Sequence, residues 1–577
     1  MNAIAKALRL WHTVRWLKPV QMYGRVWFRL ARPKPDLRPA PPARAMRGAW
    51  AEPARREPSL ASATQMRFLG EERDIDAHGW DDASLAKLWR YNQHYFDDLA
   101  AIGAVNRGAW HRELIARWIR ECAPGRGTAW EPYPTSLRIV NWIKWLRAGN
   151  EPVQGMLDSL AAQTRFLSRR LEWHLLGNHL FVNAKALVFA GSFFEGPEAD
   201  SWRVAGWRIL RPEIPEQILA DGGQFERSPM YHALAVEDML DLANLFRAYP
   251  TVCPESDASR VESRIEGMLA FLRAVCHPDG EVAFFNDSAQ GVAPPLAELG
   301  AYAVRLRVPV QSGTWPGHQS EPRSPRDMPV QCRVPRDMPV QCRSFVESGF
   351  VRIDFGSAAA ILDVGPVGPD YLPGHAHADT LSFELSIAGR RIFVNSGTSQ
   401  YGVGPERLRQ RGTAAHNTLT VDGLDSSEVW GGFRVARRAR ARLLTATGPT
   451  DPNPTVCAEH DGFVRVGRTG PHRRTWSFPR DGVLEIVDSI ETTGLVETHW
   501  HFAPELEVAS GADGRTIRLT APGLVVDLSA EGAEWQVTRS TYSPRFGMSV
   551  PNWKAVARLS GAQSRVRIEW HPCTSCS

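Results

Sequence analysis

Residues 350–364 read FVRIDFGSAAAILDV, and the period of this stretch decides the architecture. Two runs, 350–355 and 359–364, send side chains to alternate faces, which predicts a pair of strands. The same rhythm returns at 381–387, 391–394, 417–421, 482–487, 524–528 and 565–570. Many short strands joined by turn residues imply a large β-sandwich. Upstream, from about residue 85 to about residue 305, the period is helical instead. Leu114, Trp118 and Ile119 share one helix face. So do Leu137, Val140, Ile143 and Leu146, then Leu180, Ala184, Leu187 and Val188, then Val236, Met239, Leu240 and Ala243. A run of helical hairpins this long implies an α/α solenoid or toroid. The chain therefore reads as multidomain α and β, helical first and antiparallel β second.

Composition shifts supply the boundaries. Residues 33–53 are rich in Pro, Ala and Arg and read as a linker. The nonapeptide PRDMPVQCR occurs at 325–333 and again at 335–343. That is too short for a solenoid repeat and reads as a duplicated, exposed linker. The expected division is a basic N-terminal segment with a Pro-rich linker over 1–60, the helical domain over 61–307, a linker over 308–344, and the sandwich over 345–577.

A chain of 577 residues exceeds one ordinary core. The net charge of +5 suits an acidic polysaccharide as partner, and no nucleic-acid partner is expected. Most of the 21 Trp belong in the core, although flat indoles also stack on sugar rings. Eight cysteines without a framework exclude a dense disulfide scaffold, and Cys573 and Cys576 read as incidental. No apolar run is long enough to span a membrane as a helix. Lys6, Arg9, Arg15, Lys18, Arg25, Arg29 and Arg32 are interleaved with Trp11, Val14, Leu17, Trp27 and Phe28. This is not a signal peptide. It is either a helix packed on the main body or a basic amphipathic segment making peripheral membrane contact. The compartment stays open between the cytoplasm and the cell envelope or periplasm.

Three clusters carry residue types that a core does not select. In the first, Gly177-Asn178-His179 precedes Phe181, Asn183 and Lys185; an Asn cap of a helix explains it as well as a site does. In the second, residues 221–232 gather Asp221, Gln224, Glu226, Arg227, Ser228, Tyr231 and His232 around two glycines. So many polar groups before an apolar helix favour a site over a surface turn. In the third, 374–379 reads GHAHAD. In extended backbone His375, His377 and Asp379 would face one way, a common means of presenting imidazoles to a metal or substrate. Arg407, Arg409, Arg411, His416, Asn417 and Trp430 follow. An Arg run is usually a solvated face, but beside these histidines it suggests polyanion binding.

Taken together, GNHLFVNAKAL, FERSPMYH, GHAHAD and AAHNT resemble the motifs of the heparinase II/III polysaccharide lyases, in that family's order. The resemblance implies an N-terminal incomplete α/α toroid followed by a C-terminal antiparallel β-sandwich. It also implies β-elimination on a uronic-acid-containing glycan. That reaction needs donors to offset the uronate charge, a base for the adjacent carbon, and an acid for the leaving oxygen. By resemblance Asn178 and His179 are the donors, Tyr231 is the acid and in one stereochemical course also the base, and His375 is base or neutraliser. A tyrosine base requires a lowered pKa, for which Arg227 or His232 is a candidate cause. Substrate contacts are expected from Gln224, Glu226, Arg227, His232, Arg409, Arg411 and Trp430, with Arg138 and Asn141 as candidate subsites on the helical side.

No cofactor is required by this chemistry. Some members of the family hold a zinc ion, and His377 and His416 match two of its ligands. The place of the third reads Asn395, a poor zinc ligand, with Asp379 as the substitute; any such ion would be structural. Three rival readings remain: a glycoside hydrolase using Glu226 and Asp287, a non-catalytic glycan-binding or assembly protein of exopolysaccharide production, and a metal-dependent hydrolase built on His375, His377 and His416, which the missing acidic ligand disfavours.

Overall fold

A computed structural model describes residues 3–308, 340–467 and 469–572. Most of the duplicated linker, with Cys332, and the terminal Cys573 and Cys576 lie outside the described residues. The cysteines at 122, 253, 276, 342 and 457 are free.

The helical half is built around Gly177–Phe193, which is apolar on every side and buried along almost its whole length. A helix hydrophobic all round must be central, and Pro132–Arg147, Met156–Ser168, Pro197–Gln217 and Pro229–Ala248 pack against it. Each of the four expected periodic faces falls inside a helix, namely Gly108–Glu121, Pro132–Arg147, Gly177–Phe193 and Pro229–Ala248. Trp118, Trp142 and Trp207 are fully buried, as most of the tryptophans were expected to be. The Pro-rich segment 33–53 is irregular but fixed to the helices. Arg165 donates to the Arg38 and Pro39 carbonyls, and the Arg44 amide donates to the Phe193 carbonyl.

The β half contains a five-stranded antiparallel meander, Gln341–Phe345 through Arg390–Phe393, with an eight-stranded and a four-stranded antiparallel sheet. Phe383 and Leu385 from the first sheet, Trp476 and Ile486 from the second and Trp500 and Ala555 from the third share one core. This is the toroid-plus-sandwich architecture expected from the two periods. The end of the second linker copy, Gln341-Cys342-Arg343, is the start of the first strand.

Two segments of the helical half seal it to the sandwich. Asp221 accepts from the amide and hydroxyl of Ser348 at 2.7 and 2.6 Å. Arg227 donates to the carbonyls of Ser348 and Glu347, both at 3.0 Å. A side chain at Gly223 would fall 1.8 Å from the Ser348 hydroxyl, so only glycine fits there. Farther on, residues 284–288 enter the sandwich. The Phe284 amide donates to Glu384, and the Asn286 amide donates to Asp379 at 2.8 Å. Arg227→Ala should thus destabilise the chain by about 1–3 kcal/mol, the range for losing hydrogen bonds from a charged donor. Its readout is a lower unfolding midpoint with the helical content of the folded protein unchanged.

Candidate active site

A cleft of about 1440 Å³ opens between the two halves. Asn178, His179, Gln224, Glu226, Tyr231, His375 and Tyr401 line it, together with Asn141 and Lys185 deeper in the toroid. The first turn of Gly177–Phe193 brings in Asn178 and His179, the first turn of Pro229–Ala248 brings in Tyr231, and the 373–380 turn brings in His375. Ser228 caps the tyrosine's helix by accepting the Tyr231 amide at 3.2 Å, the role such a residue plays at a helix start.

His375 is oriented from below. Its Nδ1 lies 2.9 Å from Asp287 Oδ2, while His377 Nε2 lies 2.8 Å from Oδ1 of the same carboxylate. Arg407 forms a two-pronged ion pair with it. Burial disfavours the Asp287 anion, but Arg407 and the two histidines overcome that and hold its pKa well below the carboxylate range. An ionised carboxylate only accepts, so His375 Nδ1 must carry its proton, and Nε2 is left facing the cleft. The His375 ring stacks on Tyr231 at 3.9 Å between centroids, and the Tyr231 and Tyr401 hydroxyls are 3.0 Å apart.

Burial pushes the Tyr231 pKa well above its ordinary value, with Tyr401 adding to the shift. Neither proposed depressor reaches it. Arg227 points to the sandwich turn, and His232 Nε2 is taken up by the Met268 carbonyl at 2.8 Å. In the free protein Tyr231 is therefore a neutral phenol, suited to giving a proton. The His179 pKa is also raised, which here favours the charged form. Burial works against its cation, but Glu172, 3.1 Å from Nδ1, outweighs that and raises the pKa. Glu226 is buried beside these groups, its Oε2 3.8 Å from His375 Nε2 and without a hydrogen bond. Desolvation raises its pKa, favouring the neutral acid.

Behind the cleft, His377 Nδ1 and His416 Nε2 face each other at 3.2 Å. Asp287 fixes the proton of His377 on Nε2, and the Gly412 carbonyl, 2.9 Å away, fixes that of His416 on Nδ1. Two lone pairs therefore oppose each other, which requires a proton or a metal ion between them. A second pair in the sandwich lacks this conflict. The Gly462 amide donates to His460 Nδ1, His460 Nε2 meets His472 Nδ1 at 3.1 Å, and His472 Nε2 meets Asp488 at 2.7 Å. Every proton there has one acceptor. Asp379 completes the first cluster, with ligand atoms of all three residues within 4.8 Å of one another. Asn395 is not in that group; its oxygen accepts the Asn417 amide. The donor set thus fits a tetrahedral ion such as zinc with a fourth position outside these residues.

Two family models match consecutive parts of the chain. Residues 71–298 match the heparinase II/III N-terminus and residues 337–571 the heparinase II/III-like C-terminal domain. The chain belongs to the heparinase II/III family. It is 26% identical over 358 residues to a heparin-sulfate lyase of Bacteroides stercoris, covering 59% of this chain and 48% of that protein. It thus spans about half the length of that relative. It is also 24% identical over 503 residues to FtsZ-localized protein C of Caulobacter vibrioides, covering 82% of this chain and 79% of that one. The crystal structure of heparinase III shares the fold, with a TM-score of 0.65 at 18% identity, covering 88% of this chain and 80% of that one.

Several contacts expected for a heparinase II/III substrate site are corrected by the geometry. Arg227 and His232 face away from the cleft, as above. Arg409 is paired with Glu406 and Thr541. Arg411 is buried and donates to the Ala376 carbonyl, so it shapes the histidine turn rather than meeting substrate. Trp430 is covered by the N-terminal helix, donating to Thr13 at 3.0 Å. Arg138 lies in the toroid core, bonded to Gln163 and the Ala129 carbonyl and stacked on Trp118. Asn141 reaches the cleft wall, but its amide is held by Tyr95 and Asp97. The hydrolase reading fails on Asp287, whose carboxylate is fully buried among cationic and imidazole donors, outside the cleft lining. Residues 374–379 form a turn rather than a strand. His375 and His377 still meet the same carboxylate, but only His375 reaches the cleft.

Sequence reading missed Tyr401 and Glu172, neither of which sits in a motif, and it gave Asp287 the wrong task. Its neighbourhood in Phe284-Phe-Asn-Asp-Ser was the available signal. Glu172→Gln should lower the pKa of His179, because the anion opposing desolvation is gone. The titration of that imidazole, followed by NMR, checks this. Since the wild-type pKa is raised, His179 is cationic below it, and anion binding that uses this charge weakens as pH climbs through it.

Proposed function

We propose that the chain is a polysaccharide lyase that cleaves a uronic-acid-containing acidic glycan by β-elimination. The observation that carries this is the stacked Tyr231–His375 pair in a cleft that also presents Asn178 and a cation-favouring His179. Asn178 and His179 offset the uronate charge, beside a Glu226 that desolvation shifts toward its neutral form, and this makes the proton on the adjacent carbon removable. His375, with Nδ1 held by Asp287, offers Nε2 to take that proton. Tyr231, a neutral phenol, gives its proton to the departing glycosidic oxygen. The bond from that oxygen to the sugar breaks as the ring double bond forms. For the opposite epimer, Tyr231 must first be deprotonated, which substrate-bound cationic His179 would assist. The similarity to heparin-sulfate lyases agrees with this reading.

We also propose that zinc is held by His377, Asp379 and His416 as a structural ion. Its charge would relieve the opposed imidazole lone pairs and fix the 373–380 turn, without contact with the glycan. Metal analysis of the purified protein should give about one zinc per chain. His416→Ala should lose it and lower the unfolding temperature; a metal-free wild type with unchanged stability on added zinc overturns it.

The lyase reading is tested on a panel of uronic-acid polysaccharides by near-ultraviolet absorbance, because elimination leaves a conjugated unsaturated uronide. New absorbance is expected, with Tyr231→Phe and His375→Ala each slower by about 10²–10⁴-fold, the range for a general acid or base. Reducing ends without absorbance would overturn it in favour of hydrolysis. Saturable binding without product would favour an assembly role.

A further inference from the structure

The N-terminal helices Ala3–Val14 and Pro19–Leu30 follow each other with a four-residue turn between them, and this hairpin-like pair has two unlike faces. The inner face is fixed to the main body. Arg9 pairs with Glu428 and Lys18 with Glu216, Gln21 donates to the Tyr371 carbonyl, and Phe28 packs on His174 at 4.2 Å. At Gly24 the backbone of His174 comes so close that an added Cβ would sit 3.2 Å from it.

The outer face is apolar and basic. Ile4, Leu8 and Trp11 share one side of the first helix, and Val26, Trp27 and Leu30 one side of the second. Ile4 is 71%, Trp27 68% and Leu30 74% exposed. A patch of such side chains on consecutive elements marks an interaction surface, unlike the scattered apolar residues of an ordinary surface. The bases divide in the same way. Arg9 and Lys18, on the inner side, meet carboxylates of the body. Lys6, Arg15, Arg29 and Arg32 form no ion pair among the described residues, whereas Arg25 turns to the cleft wall; no acid precedes Asp36.

We propose that this outer face docks on an anionic lipid bilayer. The indoles and aliphatic side chains sit at the acyl boundary, and the unpaired bases sit on the headgroup phosphates. A second copy of the chain is the poorer occupant, because a two-fold pairing would bring the same unpaired positive charges together. No helix among the described residues is long and apolar enough to cross a membrane, so the hairpin lies on the surface. Leu17 and Gln21 line the cleft, so docking holds its mouth beside the lipid.

The test is co-sedimentation of the full chain with phosphatidylglycerol–phosphatidylcholine vesicles and with phosphatidylcholine alone, at about 0.15 M salt. Binding is expected to the anionic vesicles, weak on the neutral ones, and falling as salt rises. One variant, Trp11→Ser with Trp27→Ser and Leu30→Ser, removes apolar contact. Another, Lys6→Gln with Arg29→Gln and Arg32→Gln, removes charge. Each should weaken partitioning by about tenfold or more, with melting temperature unchanged because these side chains are exposed. No binding to anionic vesicles, or binding by both variants equal to that of the wild type, overturns the proposal. So does a protein that ignores vesicles but is dimeric by light scattering and monomeric as the Trp11/Trp27/Leu30 variant, which would assign the face to self-association.

Discussion

The buried carboxylate of Asp287 is the interaction on which the rest of the site depends. It arrives from the helical half and is met by His375, His377 and Arg407 from the β half, none of which adjoins it in sequence. A charge this deep is tolerated only when opposite charge and hydrogen bonds replace water, and here both oxygens are fully occupied. Removing one partner would leave an uncompensated buried charge. The cluster is thus a seam between the halves as well as the support of the cleft histidine. That double use explains why the carboxylate that holds His375 Nδ1 is placed behind it rather than in contact with substrate.

The same seam distributes protons. By accepting from two imidazoles at once, Asp287 fixes their tautomers in opposite senses, leaving Nε2 of His375 toward the cleft and Nδ1 of His377 toward His416. The first outcome supplies a base. The second creates an opposition of lone pairs that a metal ion would resolve, whereas the His460–His472 pair has no such conflict. Around the cleft, desolvation is the common force but its results diverge. It keeps Tyr231 a phenol and favours a neutral Glu226, while Glu172 reverses it at His179. Neighbouring groups in one cavity are thereby biased apart, Tyr231 and Glu226 toward their neutral forms and His179 toward its cation.

The N-terminal hairpin adds a third layer. Its inner face closes one side of the cleft and its outer face remains apolar and basic, so catalysis and attachment would share one structural element. Trp430 illustrates the consequence: an aromatic residue that looks like a sugar platform in the sequence is instead the seat of that hairpin.

By itself the sequence determined the two architectures and their order, because side-chain periods of 3.6 and two are local properties of helix and strand. Its motifs, by their resemblance to the family's, also picked out Asn178, His179, Tyr231 and His375, all of which line the cleft. It did not determine which arginines reach the cleft. Arg138, Arg227, Arg409 and Arg411 look alike as residues, yet Arg138, Arg227 and Arg411 are turned toward carbonyls of other segments and Arg409 toward Glu406 in its own helix and the distant Thr541 hydroxyl. Nor did it reveal Glu172, Tyr401 or the support role of Asp287. Direction and partnership of a side chain depend on which segments meet across the seam. Only the tertiary structure decides that, because pKa, tautomer and access are set by neighbours far apart in the chain.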